Sequence, residues 1–292
     1  MSNKTITLQS GAIEATIAPS LGGALLRYQR DGADVLRPGD FDAVQSDPRN
    51  AAYFPCVPFF GRMAPPRPSA FGDWSPRPTL PQCEPNFALH GDGWVSPWRV
   101  ETASAEAASL SFVHRPTDGA FPFAYTARQH FEISTAGLQI VLEATNDDGA
   151  PMPCGLALHP FFPRLDNTQV DFHAKRYWIP PSADAPGALS SLPDEVGGGE
   201  AAALPATPRD HTYVGVGGVA QIWRPGLRTN LSFSSPHLHA FLPAPSDYFC
   251  LEPCSQLPGD CDPGRPLHGR LLPPGHSRRV SMTINADAID CT

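Results

Sequence analysis

The sequence has few amines and little positive charge. Its 292 residues include two lysines, Lys4 and Lys175, and the formal net charge is −8 at pH 7. Nucleic-acid binding requires a basic surface that neutralises phosphates, so this charge balance argues against it. Schiff-base catalysis needs a lysine amine and therefore has few candidates. The remaining positive charge is arginine, whose planar guanidinium suits hydrogen bonds of fixed geometry.

Long apolar runs are also absent from the sequence. Residues 1–10 lack the apolar core of a secretory signal peptide, and no run is long enough to cross a bilayer. The seven cysteines are odd in number and irregularly spaced. This pattern fits free thiols in a reducing compartment better than a disulfide framework. We therefore expect a soluble, cytoplasmic protein.

Segments with helical apolar spacing are rare, whereas proline (35) and glycine (25) are frequent. Residues 5–18, 125–133 and 279–286 alternate apolar and polar side chains, as half-buried strands do. The segment 181–208 is rich in Ala, Pro and Gly, which predicts a long surface excursion. Strands at both ends of the chain predict an all-β protein, a single antiparallel β-sandwich domain spanning residues 1–292.

Two titratable residues lie at the ends of apolar segments. His159 closes the run that begins at Pro153, and a histidine with apolar surroundings can exchange protons near neutral pH. A strand-end histidine bonded to a backbone carbonyl would give the same pattern. Glu252 follows the apolar residues 248–251 and precedes Pro253. A carboxylate there is either paired structurally or tuned for proton transfer.

Further candidates flank these two. His90 lies beside glycines that allow a ligand to approach the backbone closely, and Trp94 offers a flat surface that could stack on a sugar ring. A tryptophan of the sandwich core would look the same. Arg62 follows the run 53–61, whose prolines argue against a central strand. Arg62 and Asp210 could line a cavity, or could be a surface ion-pair partner and a turn residue, respectively.

The sequence gives weak support for metal or nucleophilic chemistry. His237 and His239 would share one face of a strand, but no third ligand lies at a suitable spacing. Cys250, Cys254 and Cys261 lack the paired spacing of a zinc site. The G-x-S-x-G elbow of a serine nucleophile is absent. We therefore predict no metal site.

Taken together, five motifs resemble those of the aldose 1-epimerase (galactose mutarotase) family, and the resemblance covers nearly the whole chain. They are Gly61-Arg62-Met63, Leu89-His90-Gly91-Asp92-Gly93-Trp94, Gly155-Leu156-Ala157-Leu158-His159-Pro160-Phe161-Phe162, Asp210-His211-Thr212-Tyr213 and Leu251-Glu252-Pro253. The resemblance implies a galactose mutarotase-like β-sandwich (supersandwich) of large antiparallel sheets, with a sugar-binding cleft on one side.

The resemblance also implies a mechanism. Glu252 would be the general base at the C1 hydroxyl of a hexose and His159 the general acid at the ring oxygen. His90 would hold the substrate near the ring oxygen, while Arg62 and Asp210 would hydrogen-bond sugar hydroxyls. The reaction would interconvert the α and β anomers of a free hexose without a cofactor. The expected partner is a small sugar, and the expected assembly is a monomer or a homodimer.

The chain departs from the family pattern near both ends of the site. Gly61 stands where the family commonly has Asn, and Ser255-Gln256 stands where Ser/Thr-His is usual. These departures keep the proton-transfer pair and leave the choice of substrate open. One alternative is a hexose-6-phosphate 1-epimerase, with the phosphate held by Arg67, Arg77 or Arg164. Another is a carbohydrate-binding protein of the same fold without turnover.

Overall fold

The computed structural model describes residues 5–63, 78–79, 87–117, 120–179, 187–192, 196–258 and 271–289. Its helical segments are α1 (Phe41–Ser46) and two 3-10 turns, Pro48–Asn50 and Gly93–Val95. The strands in chain order are β1 (Ile6–Ser10), β2 (Ile13–Ala18), β3 (Ala24–Arg30), β4 (Ala33–Asp34), β5 (Tyr53–Cys56), β6 (Arg62–Met63), β7 (Ala88–Leu89), β8 (Arg99–Ala103), β9 (Ala107–His114), β10 (Tyr125–Ser134), β11 (Gly137–Asn146), β12 (Met152–Pro153), β13 (Ala157–Pro163), β14 (Gln169–Phe172), β15 (Arg176–Ile179), β16 (Ala188–Ser190), β17 (Ala202–Ala203), β18 (Arg209–Val214), β19 (Val219–Arg224), β20 (Leu227–Phe233), β21 (His237–Leu242), β22 (Tyr248–Cys254), β23 (Leu271–Leu272) and β24 (Ser277–Ala288).

These strands form two large sheets. The first sheet has the order β1-β2-β3-β5-β13-β22-β21-β18-β15-β16, with β4 paired to β3. The second has the order β17-β14-β19-β20-β24-β11-β10-β9-β8, and two short pairs, β12-β23 and β6-β7, lie apart from both. The central ladders of both sheets are antiparallel. The prediction of an all-β, mutarotase-like antiparallel sandwich is confirmed.

The two sheets enclose one apolar core, and the alternation of each strand supplies it. In β10, Tyr125, Ala127, Gln129, Phe131 and Ile133 are buried, while the residues that alternate with them are exposed or half-buried. Burying a large apolar side chain contributes about 1.5–3 kcal/mol. A one-residue slip would expose a strand's whole apolar set, so the core also fixes the register of the ladders.

A second apolar cluster covers the outer face of the first sheet, the face turned away from the second sheet. It includes Phe54, Phe161 and Cys250 from the sheet, Val44 from α1, and Trp94 from the segment after β7. Along β13 and β22, residues therefore alternate between the core and this outer face. His159 and Glu252 belong to the outer set, which places both side chains beneath the covering segments.

Two expectations about chain segments need correction. The prolines of residues 53–61 do not keep that run out of the sheet, because β5 lies between β3 and β13. It pairs with β13 over four residues but with β3 only through Leu25 and Tyr53, so the missing N–H of Pro55 costs little. The segment 181–208 contributes β16 and β17, each the terminal strand of a sheet, and is therefore more than a surface excursion.

Three other expectations meet the structure only in part. Cys56, Cys154 and Cys250 are free and buried, and Cys254 is buried, whereas Cys261 lies outside the described residues. No described helix is both long and apolar enough to cross a membrane. The single domain over residues 1–292 stays a prediction.

Candidate active site

The candidate site is organised along one row of side chains that crosses six neighbouring strands of the first sheet. In strand order the row is Phe54, His159, Glu252, His239, Thr212 and Trp178. The pairing of His159 with Glu252 follows from the register on either side of it: Ala157 with Cys254, and Phe161 with Cys250. Residues directly opposite one another share a face and lie close together. The sheet thus assembles residues from distant parts of the chain.

Glu252 and His159 are in direct contact inside this row. Glu252 Oε1 lies 3.3 Å from His159 Nε2, and both side chains are buried. Burial raises the pKa of Glu252 to about 8; the positive charge of His239 opposes this rise and the negative charge of Asp210 adds to it. Glu252 Oε2 is buried without a hydrogen-bond partner among the described residues. A buried acceptor of this kind costs about 1–3 kcal/mol, which a ligand hydroxyl could recover.

His159 lies in an aromatic environment. Its ring stacks on Phe161 at a centroid distance of 4.7 Å and contacts Phe54 at 4.3 Å. Burial, followed by the charges of His90 and His239, holds the pKa of His159 well below its usual range. Burial thus disfavours the charged form of His159 as it does that of Glu252. The contact favours a state in which the two neutral groups share one transferable proton.

Two hydrogen bonds with Gly61 hold His90 beside this pair. The His90 N–H donates to the Gly61 carbonyl at 3.0 Å, and the Gly61 N–H donates to His90 Nδ1 at 3.2 Å. Because Nδ1 accepts, the ring carries its proton on Nε2. Burial lowers the pKa of His90 to about 3, so the ring is neutral and offers one N–H. Its centroid lies 5.3 Å from that of His159.

Gly91 allows His90 to take this position. Its φ of +74° lies in the left-handed region that favours glycine, and a Cβ there would lie 2.1 Å from the Val57 carbonyl oxygen. The strand pair β6-β7 sets Arg62 opposite Leu89, next to His90 in the chain. The glycines of this motif therefore serve close backbone packing, and this packing brings Arg62 and His90 to the same site.

Asp210 and Arg62 form the exposed rim of the site. Asp210 Oδ2 lies 3.8 Å from Arg62 Nη1, and about half of each side chain is exposed. Burial alone would raise the pKa of Asp210, but the hydrogen bond from His239 and the nearby positive charges lower it below its usual range. Asp210 is therefore an ionised hydrogen-bond acceptor beside a guanidinium donor, a combination suited to sugar hydroxyls.

His239 was missed as a site residue by sequence reasoning, which considered it only with His237 as a metal pair. It lies between the two carboxylates: its Nε2 is 3.0 Å from Asp210 Oδ1, and it stands opposite Glu252. Its Nδ1 is 2.8 Å from Thr212 Oγ1. The sequence indicates that His239 lies in a strand of alternating residues. Only the register of that strand shows which residues His239 faces.

The structure corrects the expected role of Trp94. The side chain is fully buried, and its indole N–H donates to the carbonyls of Leu89 (2.9 Å) and Gly91 (3.2 Å). Trp94 therefore braces the His90 turn from within and has no surface on which a sugar could stack. Trp178, at the end of the row, is half-buried and anchored by its indole N–H to the Pro258 carbonyl at 3.2 Å. It is the better aromatic candidate.

The phosphate hypothesis receives no support from Arg164. Its guanidinium donates to the carbonyls of Pro243 and Pro205, both at 2.8 Å, and thus ties loops together. Arg67 and Arg77 lie outside the described residues. Arg62 faces the carboxylate of Asp210, which compensates its charge.

Ser255 and Gln256, which depart from the family pattern after Glu252-Pro253, support the start of β13. The Ser255 Oγ accepts the Leu156 N–H at 2.9 Å. The Gln256 side chain fills the space beside Gly155, where a Cβ would lie 0.9 Å from Gln256 Oε1. Gly155 is therefore required by close packing against Gln256, and the departure from the family pattern is structural.

One group of described residues has the geometry to approach a metal: His159, Cys250 and Glu252, whose ligand atoms lie within 4.8 Å of one another. The group contains neither His237 nor His239. Burial raises the pKa of Cys250 well above its usual range, which opposes the thiolate that a metal requires. The donors thus suit proton transfer better than metal binding.

The family now follows from comparison with known proteins. A sequence model of the family described as Aldose 1-epimerase matches residues 4–285. The chain belongs to the aldose 1-epimerase family. The match includes every strand of the row, so the residues that carry the resemblance in sequence are also the ones that the aldose 1-epimerase fold assembles here.

Individual relatives agree with this membership. The uncharacterized Escherichia coli K12 protein YphB is 29% identical over 300 residues, which cover 96% of this chain and 98% of that protein. A crystal structure from Escherichia coli K12, provisionally assigned as an aldose 1-epimerase, matches with a TM-score of 0.84 at 28% identity over 98% of this chain and 99% of its own. The GalM/aldose epimerase homologue from C. elegans gives a TM-score of 0.77 at 17% identity, over 98% and 99% of the two chains, and shows the fold alone.

Proposed function

We propose that this protein is an aldose 1-epimerase that interconverts the α and β anomers of a free hexose. The observation that carries the proposal is the buried contact of 3.3 Å between His159 Nε2 and Glu252 Oε1. The two oxygens that exchange protons in mutarotation, O1 and O5, are both bonded to C1. An acid and a base that serve them must therefore stand side by side, as these two groups do.

The proton balance of the reaction suits the pair. The Glu252 carboxylate removes the O1 proton, the C1–O1 bond becomes a carbonyl, the C1–O5 bond breaks, and the His159 imidazolium protonates O5. Rotation about C1–C2 and the reverse steps close the ring on the other face. Opening leaves both groups neutral, the state that burial favours. The reacting state is the tautomer of the pair in which the shared proton lies on His159 and Glu252 is ionised. A high pKa at Glu252 and a low pKa at His159 make this tautomer a minor one and increase its driving force for proton transfer.

The surrounding residues orient the sugar. His90 directs its single Nε2 proton as a donor toward the ring oxygen or a neighbouring hydroxyl, while Arg62 and Asp210 bind hydroxyls at the rim. Because Arg62 is compensated by Asp210, this rim suits a neutral hexose better than a sugar phosphate. The acid–base pair favours turnover over binding alone, since a pure binding site has no use for two buried titratable groups.

Polarimetry of freshly dissolved α-glucose and α-galactose tests the proposal. Wild type should accelerate mutarotation, and Glu252→Gln and His159→Ala should each lose about 10²-fold or more, the usual contribution of general acid–base catalysis. Thermal unfolding of each variant verifies that it is folded. A folded wild type that accelerates mutarotation of no free aldose would overturn the proposed function.

A further inference from the structure

His239 has both ring nitrogens engaged by protein groups. Nε2 is 3.0 Å from Asp210 Oδ1 and Nδ1 is 2.8 Å from Thr212 Oγ1. The side chain is 10% exposed. A sugar hydroxyl could bind either nitrogen only by displacing one of these partners, so His239 is not arranged to act on the substrate itself. Its influence on the reaction must pass through the residues around it.

The hydrogen bonds of His239 allow two charge states in one geometry. A carboxylate only accepts, so the ring carries a proton on Nε2 toward Asp210. The Thr212 hydroxyl can either donate to Nδ1 or accept from it. His239 can therefore gain or lose its second proton when the hydroxyl rotates, with no movement of the ring.

His239 also stands directly opposite Glu252. The two residues are register partners on β21 and β22, and Asp210, which His239 contacts, lies on β18 at the other side of β21. A cation at this position attracts both carboxylates. The row thus reads as acid, base, cation and hydroxyl in order: His159, Glu252, His239 and Thr212.

We propose that His239 is a positioning residue that fixes Asp210 at the rim and, as a cation facing Glu252, favours the ionised carboxylate that removes the anomeric proton. This inference rests on the proposed function of Glu252. Without His239, burial and the negative charge of Asp210 would both favour the protonated form of Glu252.

The charges of two side chains act on Glu252: that of His239 favours its ionised form, and that of Asp210 opposes it. Several titratable and charged side chains face Glu252 or act on its neighbours. They are His159 from β13, His239 from β21, Asp210 from β18, Cys56 from β5, Cys250 and Cys254 from the strand of Glu252 itself, and His90, Arg62 and Arg37 from the covering segments. Burial raises the pKa of the thiols of Cys56 and Cys250 and lowers the pKa of His90 and His159, so these four are neutral.

The directions of the pKa shifts of His239 and Glu252 agree with an interaction between the two residues. Despite burial, the charges of Glu252 and Asp210 and the hydrogen bond to Asp210 raise the pKa of His239 above its usual value. In return, His239 lowers the pKa of Glu252 against the larger effect of burial. Coupling between two sites is reciprocal, so each residue must shift the other by the same free energy.

The test compares wild type with His239→Gln, which keeps a hydrogen-bonding amide but cannot carry charge. The ionisation of Glu252 is followed by NMR of carboxyl-¹³C-labelled glutamate, with the signal assigned through Glu252→Gln. The midpoint should move to higher pH in His239→Gln, and the alkaline limb of the mutarotation profile should move with it, while kcat falls more than KM rises. His237→Gln, the same change on the same face of β21, is the matched control and should leave the midpoint in place.

An unshifted Glu252 midpoint in folded His239→Gln would overturn the inference. If His239→Gln does not fold, reciprocity supplies a second measurement: the ¹⁵N-detected titration of His239 should move to lower pH in Glu252→Gln, and an unmoved titration overturns the inference equally. Both NMR readouts need no turnover. A wild type without mutarotase activity would therefore refute the proposed function while these titrations still decide whether His239 controls Glu252.

Discussion

Glu252 and His159 face each other from neighbouring strands, with Glu252 Oε1 and His159 Nε2 3.3 Å apart. Burial moves their pKa values in opposite directions, to about 8 for Glu252 and well below 6.5 for His159. Between those values the pair carries one proton, which belongs to both residues together. That single proton is the one the proposed reaction needs.

Mutarotation should therefore have a broad optimum around neutral pH. Above about pH 8 the pair loses its proton and with it the acid, so kcat/KM should fall tenfold per pH unit. Well below pH 6.5 the pair gains a second proton and loses the base, so the rate should fall again. Polarimetry across pH measures both limbs, and a rate that keeps rising through pH 9 would contradict the assignment.

Glu252→Gln should stabilise the protein while it removes the proposed mutarotase activity. The pKa of Glu252 is about 8 in the folded state against an ordinary 4.5, so above pH 4.5 the unfolded chain releases a proton that the folded chain keeps. The free energy of unfolding contributed by Glu252 thus falls as pH rises from 4.5 to about 8. Removing the carboxyl should recover this loss, up to a few kcal/mol at about 1.4 kcal/mol per pKa unit.

Thermal or denaturant unfolding at pH 4.5 and pH 8 measures that gain. It should be small at the lower pH and larger at the higher one. Asp148→Asn, a change of the same chemical kind at a half-buried turn residue beyond β11, serves as the comparison variant. An equal effect of Glu252→Gln at both pH values would show that burial of the carboxylate is not its cause.

The His90 turn should depend on an ion pair behind it. Asp92 Oδ2 lies 2.6 Å from His114 Nδ1, and His114 Nε2 lies 2.8 Å from the Phe121 carbonyl, so both nitrogens face acceptors. His114 is therefore an imidazolium. Although burial opposes it, the hydrogen bond and charge of Asp92 raise the pKa of His114 above 6.5. The stabilisation is fully present below pH 6.5 and is lost as pH rises through the raised pKa.

Asp92→Asn should lower the free energy of unfolding by about 1–3 kcal/mol, because it leaves a buried imidazolium poorly paired. The loss should be largest below pH 6.5 and shrink at alkaline pH, as unfolding at pH 6 and pH 9 would reveal. Asp92 is two residues from His90, so kcat should also fall. Asp147→Asn, which removes an exposed partner of Arg115, is the control. A pH-independent loss would refute the ion-pair explanation.

Trp178 should contribute to sugar binding rather than to chemistry. It ends the row beside Thr212, and its anchored indole leaves part of the ring exposed on the site face. An aromatic contact of this kind is worth about 0.5–1.5 kcal/mol, so Trp178→Ala should raise KM about two- to tenfold with kcat nearly unchanged. Trp178→Phe should restore most of the affinity. Equal KM values for wild type and Trp178→Ala, measured by polarimetry, would remove Trp178 from the site.

The sequence predicted the fold and the meeting of His159 with Glu252 better than it predicted their surroundings. His159 and Glu252 stand out because each is a titratable residue within an apolar strand. Burying such a residue is unfavourable unless it has a partner or a function there. His239 carries no such mark, since a histidine in an alternating strand becomes informative only when its partners on β18 and β22 are known. Trp94 was given the wrong role because exposed and buried tryptophans look alike in a sequence.

Residues that do not fit the usual strand or family pattern also show what a local sequence cannot predict. Pro55 argued locally against a central strand, yet the sheet accepts it where β5 barely pairs with β3. Ser255 and Gln256 leave the choice of substrate open in the sequence, whereas their contacts in the structure brace the start of β13. In both cases the deciding quantity was a contact between residues far apart in the chain, which no local pattern contains.

The row across the first sheet makes the proposed mutarotase activity a sensitive reporter of folding. A slip of β22 by one residue against β13 would set Leu251 or Pro253 opposite His159 and turn Glu252 toward the apolar core. Such a molecule could keep most of its strands and its spectroscopic β-signature, yet the acid would have lost its base. Activity per mole of protein therefore measures the fraction of molecules whose sheet has the correct register. Mutations that loosen the register, even far from the sugar, should lower activity before they lower the strand content.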